Sequence, residues 1–197
     1  MKERPIIMSA ESIQGILDCR KSMTRRVVTG NALKMLTIVP PAIVARDLSP
    51  WKVGDRLWVK ETWGIGTRPD PYSGWVDGIE YKADLKYLDE KEDLHLNIIE
   101  DKDLSIYEKE GWNSLIYMPR WASRITLEIT DIRVERVQDI SVQDCQKEGI
   151  PMPYVARDKY EPIAMYRTLW QTINAKRGYP WKDNPWVWVV SFKVVTK

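Results

Sequence analysis

The 197-residue chain carries 30 Lys and Arg against 28 Asp and Glu, a net charge of +2, with 44% hydrophobic and 29% charged residues, so it can bury one core without disulfides or a structural metal. Two cysteines, Cys19 and Cys145, stand far apart without CxxC spacing and exclude a disulfide framework or a zinc site, and a single histidine, His95, excludes Ser-His-Asp, Cys-His and histidine-metal chemistry. Early charges in MKERPIIMSAESIQG exclude a signal peptide, and no window approaches 18 apolar residues, so a single soluble domain over 1–197, in a reducing cytoplasm and off the membrane, is expected.

In chain order, RPIIM (Arg4 to Met8) predicts a short strand. Ser9 then supplies an N-cap, Met8 and Ile13 a hydrophobic staple, and Ile13, Ile16 and Leu17 the apolar stripe of a helix ending near Arg20. Met23 to Val28 predicts a strand with Thr24 and Arg26 on one face and Met23, Arg25 and Val27 on the other. Thr29 to Pro50, with Gly30, Pro40, Pro41 and Pro50, reads as a loop. Gly54-Asp55 is a turn signal before the strand RLWVKETW, Arg56 to Trp63.

Gly64 to Gly74 reads as a loop, and Trp75 to Ala83 as a strand pair around Asp77-Gly78. From Asp84 to Glu110, ten acids and four bases give a net charge of −6, which leaves +8 on the rest of the chain; one or two outer helices are expected there. Ser123 to Val137 alternates as a strand with a phase shift near Thr130-Asp131. Ser141 and Asp144 have capping-box spacing, and Gly149 closes a helix over 142–148. Glu161-Pro162 opens a longer helix with Ile163, Tyr166, Trp170 and Ile173 on one face, closed by Lys176, Arg177 and Gly178. The final strand, Trp186 to Val195, is apolar on both faces and belongs in the middle of a sheet or in a barrel wall.

One run stands out: Arg20 to Arg26, RKSMTRR, packs four cations and two hydroxyls into seven positions. With GDRLWV (Gly54 to Val59) and Glu148 after ISVQDCQK, it resembles the ASCH domain, a branch of the PUA-like superfamily. The phrases RPIIMS, GDRLWVKETW, MPRWASRITLEITDIRVER and NPWVWVVSF are similar to a phage-encoded subgroup of uncharacterised ASCH proteins. The resemblance implies an α+β fold: a PUA-like β-barrel with short helices at its ends, here carrying a large acidic insertion at about 66–112. Some compact bacterial members remove the acetyl group from N4-acetylcytidine with a lysine, a threonine and a glutamate; the resemblance implies those catalytic roles for Lys21, Thr24 and Glu148, and no cofactor.

The chemistry is coherent on its own terms. A threonine hydroxyl needs a neighbouring base, and with no usable histidine a lysine can serve when neutral, which takes a pKa lowered by several units from about 10.4. A close Glu148 opposes that shift, so orienting Lys21 or shuttling protons to the departing amine suits Glu148 better than a tight ionic contact. Glu148 also sits in the last turn of its helix, where a negative charge is disfavoured by roughly 0.3–1 kcal/mol. Lys21 and Thr24 fall on opposite faces of a continuous strand, so their cooperation requires Lys21 to lie in the helix-to-strand turn. Arg26, on the Thr24 face, suits a carbonyl, an oxyanion or a phosphate. Trp58, or Glu61 on the other face of its strand, suits base stacking or hydrogen bonding. Three functions stay open: an amidohydrolase acting on an acylated nucleoside or other small amide, an RNA-binding or RNA-processing module, and a phage protein that binds a host factor through the acidic insertion.

Overall fold

The structure, a computed structural model, describes residues 1–70, 74–83, 111–151 and 161–195. Among the described residues the strands are β1 (Glu3–Ile7), β2 (Met23–Val27), β3 (Arg56–Lys60), β4 (Trp63–Asp70), β5 (Gly74–Tyr81), β6 (Thr126–Arg136) and β7 (Trp186–Val195), and the α-helices are α1 (Ala10–Leu17), α2 (Gly30–Met35), α3 (Pro41–Leu48), α4 (Val142–Lys147) and α5 (Glu161–Asn174). Five strands form one sheet in the order β1-β3-β6-β7-β2, and β4 and β5 form a separate antiparallel pair. The fold is thus mixed α+β. The expected closed barrel is not formed: β1 and β2 end the sheet as edge strands, and β7, apolar along most of its length, lies between β6 and β2. No helix among the described residues is long and apolar enough to cross a membrane.

The chain divides into two compact units, one of Met1–Glu3, Gly15–Arg56 and Leu127–Lys197, the other of Arg4–Gln14 and Leu57–Thr126. In the first, Met23 of β2, Cys145 of α4, Tyr166 and Trp170 of α5 and Val187 and Val189 of β7 make one core cluster. Each such side chain stabilises by about 1.5–3 kcal/mol on burial. Local signals set the helix ends here. Ser141 Oγ accepts from the Asp144 N–H at 3.1 Å and starts α4, while Gly178, at φ +88, ends the 3-10 turn that follows α5. The α5 stripe is rotated from its expected position: Tyr166 and Trp170 are buried, but Asn174 takes the inner place and Ile173 is 41% exposed. Gly54, at φ +85, makes the expected turn, and buried Asp55 completes it by accepting from the backbone N–H groups of Lys2 at 2.8 Å and Lys52 at 3.1 Å.

In the second unit, Leu57 and Val59 are fully buried on one face of β3, and Trp63, Ile79, Tyr81, Met118 and Ala122 form the core. Trp63 meets Trp121 edge to face, with ring centroids 5.9 Å apart.

Two stretches differ from their expected form. Thr29 to Pro50 is not a loop but holds α2 and α3. Its breakers sit where helices accept them: Pro41 is in the first turn of α3, and Pro50 lies beyond its end. Likewise, 64–70 is strand, and Asp77-Gly78 is not a turn but lies inside β5, opposite Thr67 and Gly66. Pairing of two glycine-containing strands supplies the backbone hydrogen bonds that neither has the propensity to secure alone. Of the expected insertion at 66–112, residues 66–70, 74–83 and 111–112 are described, most of them in this pair. The acidic stretch 84–110, with its expected helices and His95, lies outside the described residues.

Candidate functional site

The end of α1 delivers Lys21. Cys19 takes the left-handed conformation at φ +57, and the N–H groups of Arg20 and Lys21 both donate to the Gly15 carbonyl at 2.8 Å, closing the helix. The chain then extends at once: Lys21 forms an isolated antiparallel bridge with Glu148, and the Ser22 N–H donates to the Lys147 carbonyl at 2.8 Å. Glu148 is the C-cap of α4, followed by Gly149 at φ +89.

Lys21 and Glu148 therefore meet. The Lys21 ammonium donates to Glu148 Oε2 at 2.7 Å and to the Glu148 backbone carbonyl at 2.7 Å, with side chains 3% and 4% exposed. The tight ionic contact that the sequence argument disfavoured is the one present. It also answers the misplaced charge at the helix end: a cation caps the terminal carbonyl and neutralises the carboxylate beside it. Two glycines make the slot. A Cβ at Gly15 or at Gly149 would stand 3.2 Å from Lys21 Cβ. Gly149→Ala combines that crowding with a left-handed backbone, so a loss of about 1–3 kcal/mol in chemical denaturation is expected, against a few tenths at an open site.

Thr24 is placed differently. It is buried at 5% exposure opposite Val190 of β7, and among the described residues no hydrogen bond joins it to Lys21 or Glu148. Alternation along the extended chain puts Lys21, Met23 and Arg25 on one face and Thr24 on the other.

Arg25, the far-face residue of the expected strand, is the centre of the cluster. Its side chain has no exposure. Nη1 donates to Glu148 Oε1 at 3.2 Å, Nη2 to Asp144 Oδ2 at 2.9 Å, and Nε to Glu135 Oε1 at 3.2 Å, while the guanidinium carbon lies 5.7 Å from the Tyr166 ring centroid. Arg133 extends the network, donating from Nε to Glu135 Oε2 at 3.0 Å and from Nη2 to Asp144. Three cations, Lys21, Arg25 and Arg133, thus face three carboxylates, Glu135, Asp144 and Glu148. Burial works against the Arg25 cation, but Glu148 and then the Tyr166 oxygen and Glu135 outweigh it and raise its pKa. Burial pushes the Tyr166 phenol well above its usual value and the Cys145 thiol up to about 11, and the nearby Glu148 carboxylate adds to both. Arg26 is half-buried, across from Trp188; burial, helped by Arg177, lowers its pKa, and Glu148 opposes the shift.

Trp58 and Glu61 belong to the other unit. Trp58 is half-buried, with Lys60 Nζ 5.4 Å and the Arg120 guanidinium 6.0 Å from its ring centroid. Glu61, 1% exposed, accepts from both Nε and Nη2 of Arg124 at 3.0 and 2.9 Å, and that guanidinium stacks 4.0 Å above Tyr81. Sequence reasoning missed Arg25, Glu135, Asp144 and Arg133 as members of the site. The available signal was the two-residue period linking Lys21 to Arg25 and Arg133 to Glu135.

No family model matches this sequence, and no curated protein matches it. Solved structures similar to the chain include an ASCH domain from Lactobacillus crispatus, TM-score 0.44 at 10% identity over 100% of this chain and 81% of that one, and a DUF984 protein from Enterococcus faecalis, TM-score 0.43 at 10% identity over 100% of this chain and 77% of that one.

Proposed function

We propose that the chain is an amidohydrolase that removes the acyl group from the amine of an acylated nucleoside, N4-acetylcytidine-like, or of a related small amide, with Lys21, Thr24 and Glu148 as catalytic residues. What supports the reading is the Lys21–Glu148 pair, a lysine and a glutamate shut off from solvent and held at 2.7 Å in a glycine-lined slot. Buried ion pairs are seldom the most stabilising use of two positions, because desolvation offsets most of their attraction. Features that break a local rule concentrate at functional sites.

In this reading Thr24 Oγ1 adds to the acyl carbon and its proton passes to the Lys21–Glu148 couple, a transfer that requires substrate binding to bring the Thr24 hydroxyl round from the opposite face of β2. The C–N bond breaks as that proton reaches the leaving nitrogen, and water then hydrolyses the threonyl ester to release the acid and restore the hydroxyl. Arg26, on the Thr24 face of β2, steadies the acyl oxygen. The test is hydrolysis of N4-acetylcytidine by the purified full chain. Lys21→Met and Thr24→Ala should each lose about 100-fold or more. Turnover kept in Thr24→Ala but lost in Lys21→Met would transfer the attack to water. No turnover of any acylated nucleoside, with salt-sensitive RNA binding intact, would overturn the reading in favour of an RNA-binding module.

A further inference from the structure

The first unit also carries an open surface cleft. The cleft, of about 370 Å³, is lined by Ala42, Ala45 and Arg46 of α3, Trp51 and Lys52 of the turn after it, and Arg133 of β6. Ala42 and Ala45 are three apart and share a helix face, so their small side chains leave the groove open. The volume falls in the range of small-ligand sites.

Its chemistry is selective. Three cations and one indole line it, together with aliphatic side chains, and no carboxylate does. Two of the cations are partly engaged: Arg46 by the adjacent Asp47 at 2.7 and 2.8 Å, and Arg133 by Glu135 and Asp144. Lys52 is engaged least: its backbone N–H serves Asp55, and its exposed ammonium acts on the Asp47 carboxylate only from a distance, with no hydrogen bond or ion pair among the described residues. A half-buried Trp51 beside a lysine whose ammonium touches no carboxylate among the described residues offers an apolar ring and a positive charge together. A ligand that satisfies both has a planar aromatic ring and a phosphate.

We propose that this cleft binds a nucleotide, with the base against Trp51 and the phosphate at Lys52, flanked by Arg46 and Arg133. The nucleotide is either a free mononucleotide or one unit of a single-stranded chain; both present the same ring and phosphate. The site shares Arg133 with the Lys21–Glu148 cluster but does not rest on the hydrolase reading.

Calorimetric titration of the full chain separates these cases, using cytidine 5′-monophosphate, cytidine, inorganic phosphate and a ten-nucleotide oligocytidylate at low and moderate salt. The monophosphate should bind more tightly than cytidine or phosphate alone. Trp51→Ala should weaken it roughly 10-fold, with Trp51→Phe restoring most of the loss. Lys52→Ala should weaken binding and lower the slope of log affinity against log salt by about one for the oligonucleotide. Thr24→Ala, on the face of β2 away from the cluster that holds Arg133, should leave binding unchanged, so the fate of this site and that of the hydrolase reading are read separately. Binding of the oligonucleotide alone, still sensitive to Trp51 and Lys52, would support the site and assign it to a chain segment. No binding of either nucleotide form, or equal affinity in wild type, Trp51→Ala and Lys52→Ala at unchanged circular dichroism, would overturn it.

Discussion

Replacing Glu148 by alanine is expected to remove about 3–5 kcal/mol of stability in urea denaturation. The carboxylate serves two buried cations at once, Lys21 through Oε2 at 2.7 Å and Arg25 through Oε1 at 3.2 Å, and its side chain is 4% exposed. Without it, the ammonium keeps only the carbonyl of residue 148, and the buried cations Lys21 and Arg25 lose the carboxylate they share. An uncompensated buried charge, rather than a lost contact, sets the size of the effect. Glu148→Gln separates the two contributions: it keeps the shape and one acceptor and removes the charge, so it should recover the packing but not the ionic part. A loss below about 1 kcal/mol for Glu148→Ala would mean that solvent screens the cluster, as it does exposed pairs.

Trp63→Ala is the second large effect, again about 3–5 kcal/mol, by a different cause. Trp63 is fully buried, packs edge to face on Trp121 and starts β4 at its pairing with Tyr81. Truncation opens a cavity in the core shared with Ile79, Met118 and Ala122. Because that cluster lies wholly within one compact unit, hydrogen exchange should quicken at the amides of Ile65 and Ile79 well before those of Val187 and Val189 in the other core. Uniform loss of protection in both cores would show that the two units unfold together.

Helix ends were legible in the sequence because they depend on neighbours three or four residues away: Ser141 with Asp144, and Gly149 and Gly178 at their left-handed positions. The placing of Lys21 and Glu148 at two element ends was accessible as well, since a lysine just after a helix and a glutamate just before a glycine are both terminal positions, but their tight contact ran against the expectation. Arg25 was not. Its partners Glu135, Asp144 and Glu148 lie 110 to 123 residues further along the chain, and nothing in RKSMTRR tells which strand face will turn toward them. For the same reason Arg26 drew attention for sharing a face with Thr24, while the guanidinium that joins the Lys21 cluster is the one beside it.

The misread stretches have one cause. Glycine and proline were counted as breakers at 29–50 and 64–74, yet Pro41 begins a helix and Gly66 faces Gly78 across a strand pair. Intrinsic propensity is a preference of about 1 kcal/mol, which pairing and burial readily reverse.

By itself the sequence determined the helix caps, the strand alternation and the placing of Lys21 and Glu148 at two element ends, all consequences of hydrogen-bond geometry within a turn of chain. Tertiary structure alone decided that the sheet stays open and that Arg25 anchors three carboxylates while Thr24 turns away. Those outcomes depend on which distant element covers each face of β2, and a one-residue alternation reverses them.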